Sequence, residues 1–166
     1  LTLDDLHKQF PNKTNILNAF QRRTNDCVLA SGGVEGSSYR DRLFGVLMLR
    51  FDILQPYRDA IRLIARDVAY DPLTTINQCA QLFSSMASML EAAGINSGGI
   101  DGAIRVKGLA FIYAHALQTW FSDDSPDLSK TMATLDRDLD RTERLVGILC
   151  PPQNTKTKIL KSTSPK

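Results

Sequence analysis

Residues 71–94 read DPLTTINQCAQLFSSMASMLEAAG, and this stretch decides the class of fold. Asp71 followed by Pro72 is a strong helix start, because aspartate caps the first turn and proline tolerates the first helical position. Apolar residues then recur at three- and four-residue steps, as Leu73, Ile76, Cys79, Ala80, Phe83, Met86, Ala87 and Leu90. This spacing predicts an amphipathic helix that ends near Gly94.

The preceding segment has the same helical spacing. One helix is predicted over 39–54 and a second over 57–69, after a break at Pro56. The first of them has an apolar stripe made of Leu43, Val46, Leu47, Phe51 and Leu54.

Two further helices follow the loop at residues 96–99. Residues 103–121 are apolar on almost every face between Gly108 and Leu117, so we expect that helix to be buried on several sides. After the turn and cap at 123–127, an apolar stripe comprises Leu128, Met132, Leu135, Leu139, Val146 and Leu149, opposite a face of mixed charges. No alternating strand pattern competes with these helices, so the predicted fold class is all-α.

The chain divides at its glycine- and serine-rich stretch, SGGVEGSS. Before it, two short helical patterns are separated at Pro11. We therefore predict an N-terminal module at 1–30, a linker at 31–38, a main helical domain at 39–150 and a basic, disordered tail at 151–166.

Composition bounds the possible functions. The 166 residues are 43% hydrophobic and 23% charged, which is typical of a globular protein. No apolar run approaches the roughly 20 residues of a membrane span, and no signal peptide is recognisable, so we expect a cytoplasmic protein without stable membrane insertion. The three cysteines stand too far apart to suggest a disulfide framework or a thiolate metal site.

The formal net charge of +2 is unevenly distributed. Lys156, Lys158, Lys161 and Lys166 lie in the tail, which has no acidic residue, so the rest of the chain is slightly acidic and is not an obvious polyanion binder. The tail has two interpretations: a solvated segment, or a contact to nucleic acid or an acidic membrane.

The opening segment, LTLDDLHKQFPNK at residues 1–13, resembles part of the DNA-binding motif of TetR-family bacterial transcription regulators. In that family a hydroxylated residue opens the recognition helix, an aromatic closes it, and Phe-Pro-(Ser/Asn)-Lys follows. Thr2, Phe10, Pro11, Asn12 and Lys13 match this pattern in order. The resemblance implies a helix-turn-helix that is cut off partway, so we expect the natural protein to begin before Leu1.

The same resemblance implies which residues meet DNA. The second helix of such a motif enters the major groove with its first residues nearest the bases, while other side chains contact phosphates. The implied DNA-binding residues are Thr2, Leu3, His7, Lys8 and Lys13. Asp4 and Asp5 depart from the pattern by placing negative charge there. The alternative interpretation is a helical hairpin retained only for packing.

Residues 103–145 carry a second resemblance, to the lipid-binding proteins of coenzyme Q biosynthesis. It rests on Tyr113 in an apolar helix, on the turn Asp124-Ser125-Pro126-Asp127, and on Thr131 and Leu135 in the charged helix that follows. That family has a TetR-like fold, binds lipid or isoprenoid in an apolar pocket, and assists a hydroxylase without catalysing a reaction itself.

These resemblances imply a ligand pocket in the main domain. Bulky and adaptable side chains on two helices that we expect to face each other would line it, with a histidine from the most apolar helix. The predicted pocket residues are Phe83, Met86, Met89, Phe111, Tyr113, His115 and Trp120. An ordinary hydrophobic core accounts for the same residues, and for His115 the sequence favours a core or interface position over a ligand contact.

Together these observations predict a TetR-like helical bundle, in which a partial helix-turn-helix precedes a five-helix ligand-binding and dimerisation domain. The last two helices would pack against a twofold mate to form a homodimer. The expected function is a DNA-binding transcription regulator that responds to a small apolar ligand. The alternative is a non-catalytic lipid- or isoprenoid-binding accessory protein of ubiquinone biosynthesis. No enzymatic activity, metal or cofactor is expected, because the usual motifs for such chemistry are missing.

Overall fold

Six α-helices follow one another in the computed structural model, which describes residues 13–31 and 36–146, except for the side chains at 13, 69 and 144–146. They are α1 (Lys13–Ala30), α2 (Tyr39–Leu54), α3 (Arg58–Ala69), α4 (Pro72–Ala92), α5 (Gly99–Trp120) and α6 (Ser129–Val146). The described residues contain no strand, which confirms the predicted all-α class.

Helices α2 and α4 begin at side-chain caps. The Asp41 amide donates to Ser38 Oγ at 3.0 Å and the Ser38 amide donates to Asp41 Oδ2 at 3.2 Å, which forms a capping box at the start of α2. Asp71 caps α4 as predicted, accepting from the Leu73 amide at 3.1 Å and from the Thr74 hydroxyl at 2.6 Å. The hydrogen bonds from Thr74, and a weaker contribution from the Leu73 amide, lower the pKa of Asp71 below its usual value.

The core is arranged around α2, which packs against α1, α4 and α6. Its predicted apolar stripe is confirmed, because Leu43, Val46, Leu47, Phe51 and Leu54 are all buried. The Phe51 ring stacks on Tyr113 with centroids 5.2 Å apart and lies 5.7 Å from the Trp120 ring. Trp120 is completely buried and donates from Nε1 to Gln55 Oε1 at 2.8 Å.

The predicted break at Pro56 is a continuous connection. Residues Gln55–Tyr57 form one 3-10 turn that joins α2 directly to α3. Proline is accommodated because it lies at the start of this turn, where its missing N–H removes no helical hydrogen bond.

The apolar stripe predicted for α4 is buried only in the second half of the helix. Leu73 is 80% exposed and Ile76 is 68% exposed, whereas Met86 and Leu90 in the second half are completely buried. The first half of α4 instead packs through Thr75, which donates to the Val68 carbonyl of α3, and Gln78, which donates to Asn18 of α1, so Leu73 and Ile76 lie on another face.

The prediction that α5 is buried on several sides is wrong for the single chain. The helix begins at Gly99, earlier than predicted, and it buries one face, to which Leu109, Ile112 and Ala116 belong. Phe111, in the middle of the most apolar segment, is 78% exposed. The reason is that the described helices pack on only one side of α5.

The last helix combines a buried stripe with a charged face, as its sequence indicates. Leu128, Leu135 and Leu139 are buried, while Met132 is 39% exposed. Arg40 of α2 forms an ion pair with Asp136 at 2.6 Å, which ties α2 to α6. Leu149 lies outside the described residues. Among the residues that are described, no helix is both long and apolar enough to cross a membrane.

Candidate ligand groove

A groove of about 480 Å³ lies among α1, α2, α3, α4 and α5. Its walls are largely aliphatic. Helix α1 contributes Ile16, Leu17 and Phe20, and α3 contributes Ile61, Ile64 and Val68. This volume lies within the range of about 300–1,000 Å³ that is usual for small-molecule pockets. We refer to this feature as the groove.

Helix α3 has little packing apart from the groove. None of its described side chains is fully buried, and Leu63 on its outer side is 61% exposed. Its opposite face, which includes Ile61, Ile64 and Val68, is turned toward the groove. An apolar occupant would therefore cover the face of α3 that the described residues leave incompletely packed.

A single charged side chain enters the groove lining. Arg50 lies on the buried stripe of α2 and is only 3% exposed. Its Nε donates to the Tyr113 hydroxyl at 3.2 Å, and its Nη1 donates to Asn25 Oδ1. Asn25 in turn donates from Nδ2 to Ser85 Oγ at 3.0 Å. These hydrogen bonds connect α1, α2, α4 and α5 beside the groove.

A second polar group borders the groove where α1 meets α4. Gln21 donates from Nε2 to Gln78 Oε1 at 3.1 Å, and Gln78 donates to Asn18 Oδ1 at 3.2 Å. The buried Oε1 of Gln21 has no hydrogen-bond partner among the described residues. The groove therefore combines apolar walls with one cation and a few amides.

The predicted pocket residues separate into three environments. Tyr113 lines the groove, while Met86, Met89 and Trp120 are completely buried in the core. Phe83 is 40% exposed outside the groove lining, and Phe111 and His115 line a different hollow. The structure brings only Tyr113 of this set to the groove.

That second hollow, of about 400 Å³, lies between α5 and α6. His115 on α5 contacts the carboxylate of Asp138 on α6 through Nδ1. The side chain of His115 is 46% exposed, so it occupies the surface between these helices and not the core. The hollow is lined by Phe111, Ile112, Ala114, His115, Gln118, Asp138, Arg141 and Thr142.

Sequence reasoning missed most of the groove. The contribution of α1 and α3 depends on how they pack, which periodicity does not reveal. The position of Arg50 is unusual in the sequence itself. It interrupts the stripe of Leu43, Leu47 and Leu54 where an apolar residue is expected.

The predicted DNA-binding residues cannot be placed by the structure. Thr2, Leu3, His7 and Lys8 lie outside the described residues, and so does the side chain of Lys13. The tail at 151–166 also lies outside them.

The groove also includes a cysteine. Cys79 lines it and carries an exposed thiol, as does Cys27 away from it. Within residues 13–31 and 36–146, no group of three or more His, Cys, Asp or Glu side chains could hold a metal ion. The groove offers an apolar surface, a guanidinium and hydrogen-bond donors.

Comparisons with known proteins give no relative for this chain. No protein-family model, no curated protein and no solved structure matches it.

Proposed function

We propose that this chain belongs to a TetR-like DNA-binding transcription regulator, and that the groove binds the small apolar ligand to which the regulator responds. The observation that carries the proposal is the aliphatic lining of the groove, supplied by α1 on one side and α3 on another. An apolar molecule there would remove both surfaces from water, which is the main driving force for binding in such pockets.

Helix α1 supplies a physical route from ligand to DNA. Ile16, Leu17 and Phe20 of α1 line the groove, and α1 directly follows the segment that resembles a recognition helix. A ligand that contacts α1 favours one placement of that helix against the bundle. If two placements differ in DNA affinity, binding of ligand and of DNA are coupled. Regulation of this kind takes place in the cytoplasm and requires no catalysis.

A variant that fills the groove tests ligand binding. Ala65 lines the groove, whereas Ala133 is exposed on α6 and does not. We expect Ala65→Trp to weaken binding of the neutral dye Nile red by about tenfold or more, which corresponds to roughly 1.4 kcal/mol. Ala133→Trp should bind the dye as the unmodified chain does. Equal affinity in both variants would rule out the groove as the binding site.

DNA binding needs a separate experiment. Protein made from the complete reading frame would be incubated with fragments of its own genome, and the bound fragments would be sequenced. Enrichment of a defined operator supports a regulator. Absence of any enriched sequence, with and without ligand, contradicts it.

A second candidate is a non-catalytic lipid- or isoprenoid-binding accessory protein of ubiquinone biosynthesis. The apolar groove supports it too, because a lipid-binding protein needs such a surface without any coupling to DNA. Native mass spectrometry of protein purified from its own host, followed by extraction, distinguishes the two. A bound isoprenoid together with no selected DNA favours the accessory protein, whereas an enriched operator favours the regulator.

We further propose that the chain forms a homodimer through α5 and α6. Ile100, Ile104 and Phe111 share one face of α5 by their helical spacing, and they are 83%, 46% and 78% exposed. A row of large exposed apolar side chains is typical of an interaction surface. Packing of this face against its twofold copy would give a four-helix interface.

A further inference from the structure

Arg50 is a buried cation whose partners are neutral. The residue is 3% exposed, and its hydrogen bonds go to the Tyr113 hydroxyl and to Asn25 Oδ1. Among the described residues, no carboxylate lies within salt-bridge distance of its guanidinium. The Tyr113 ring, 5.5 Å from Arg50 Cζ, provides only partial compensation.

Such an arrangement is costly unless an anion completes it. Arginine retains its charge throughout the physiological pH range, so it does not escape the cost of burial by losing a proton. Buried charges in proteins are normally paired with an opposite charge. On the apolar stripe of α2, a leucine or methionine would fill the same position without that cost.

Hydrogen-bonding capacity remains on the guanidinium of Arg50. The described residues accept from Nε and Nη1 and supply no acceptor to Nη2. The Tyr113 hydroxyl accepts from Nε, so its own proton can be donated to a further group. Both side chains line the groove, so a ligand there has access to two kinds of donor.

The lining indicates the charge and shape of the ligand group that would match it. It contains Arg50 as its one basic residue and no acidic residue among those described. A carboxylate matches one guanidinium in charge and in its planar two-point geometry. The rest of the lining is largely aliphatic, which suits a hydrocarbon chain.

We propose that the groove binds a long-chain carboxylate, with the head group on Arg50 and Tyr113 and the hydrocarbon chain between α1 and α3. This inference rests on the proposed ligand-binding function, and it specifies the ligand as a fatty acid and not a neutral lipid or a phosphate ester. The bound carboxylate would balance the charge of Arg50, and its hydrocarbon chain would complete the packing of α3.

The test compares palmitate, palmityl alcohol and palmityl phosphate, which share one hydrocarbon chain, by calorimetry below their aggregation concentrations. We expect palmitate to bind the unmodified chain roughly tenfold to hundredfold more tightly than the alcohol, as one charged hydrogen-bonded pair would give. Equal affinity for acid and alcohol would overturn the proposal. Tighter binding of the phosphate would overturn the assignment of the head group.

Variants identify the residue that binds the head group. Arg50→Met should reduce the preference for palmitate over the alcohol to about onefold, and Arg66→Met, at an exposed position on α3, should leave it unchanged. If Arg50→Met fails to fold, Arg50→Lys and Tyr113→Phe serve instead, and each should reduce the preference. A preference retained in all folded variants would refute the assignment.

The outcomes also separate this inference from the function on which it rests. Binding of the acid and the alcohol with equal affinity, lost in Ala65→Trp, would leave the apolar groove established and reject only the carboxylate. Binding of none of the three compounds would reject both the ligand class and the groove as a lipid site.

Discussion

The carboxylate of Asp123 accepts two hydrogen bonds from Thr131, one from its backbone amide at 2.8 Å and one from its hydroxyl at 2.7 Å. Ser125 donates to the other carboxylate oxygen from its amide, at 3.1 Å, and from its hydroxyl. Asp123 is completely buried, so it caps the first turn of α6 from inside the protein. Burial by itself raises the pKa of Asp123, but these hydrogen bonds outweigh it and lower the pKa to about 2.

This cap predicts an acid-sensitive contribution to stability. The carboxyl has a pKa of about 2 in the folded chain and an ordinary value of 3.8, so between these values the unfolded chain binds a proton that the folded chain does not. The free energy of unfolding should therefore fall as the pH is lowered through this window, with a contribution from Asp123 of roughly 2 kcal/mol. Urea unfolding at a series of pH values measures the decline.

Asp123→Asn and Asp124→Asn form a matched pair for that measurement. At neutral pH we expect Asp123→Asn to lower the free energy of unfolding by about 2 kcal/mol, because an NH₂ group would replace an acceptor of two hydrogen bonds. Its stability should also depend less on pH between about 2 and 4. Asp124, 89% exposed, should tolerate the change. Identical pH dependence in the two variants would contradict the role of Asp123.

The proposed dimer predicts a specific effect at Phe111. Replacing this exposed residue with glutamate should convert a dimer into a monomer, because the charge would be buried against the twofold copy. Leu73→Glu is the control, since Leu73 is 80% exposed on α4, a helix that is not part of the proposed interface. Light scattering at micromolar concentration gives the mass, and circular dichroism checks that both variants fold. A monomeric unmodified chain would exclude this interface under those conditions.

The two cysteines of the described residues, Cys27 and Cys79, give a test of where a ligand binds. Cys79 lines the groove and Cys27 does not, although both are exposed. Saturation with palmityl alcohol should slow the reaction of Cys79 with a maleimide several-fold and leave Cys27 unaffected, because only Cys79 would be covered. Peptide mass spectrometry follows each site separately. Equal protection of both thiols would indicate a global effect, and no protection would place the ligand elsewhere.

A side chain at Gly102 should cause a steric clash at the start of α5. A Cβ atom at this buried position would lie 2.1 Å from the Ser97 carbonyl oxygen, which is backbone and cannot rotate away. Gly102→Ala should therefore lower the free energy of unfolding by about 2 kcal/mol or more, because the backbone must shift to admit the methyl group. Thermal unfolding detects this. Unchanged or increased stability would show that the loop before α5 adjusts readily.

Local signals in the sequence were sufficient for the helices themselves. Asp71-Pro72 marked the start of α4, and the stripe from Leu43 to Leu54 marked the buried face of α2. Caps and apolar spacing act within one or two turns, so neighbouring residues determine them. The turn and cap before α6 were predicted, but the burial of Asp123 and its hydrogen bonds with Thr131 were not, because they depend on how the turn folds back.

Only the tertiary structure decided which apolar faces are covered. Trp120 and Met86 are buried in the core, whereas Phe111 and Leu73 are exposed, although all four lie in apolar segments with helical spacing. Periodicity defines a face of a helix, but burial requires a second element at the right position, and that depends on packing angles between helices. The groove follows from the same cause. Arg50 was recognisable in the sequence as a charge on an apolar stripe, but its neutral partners on α1 and α5, on which the proposed carboxylate site rests, are evident only from the tertiary structure.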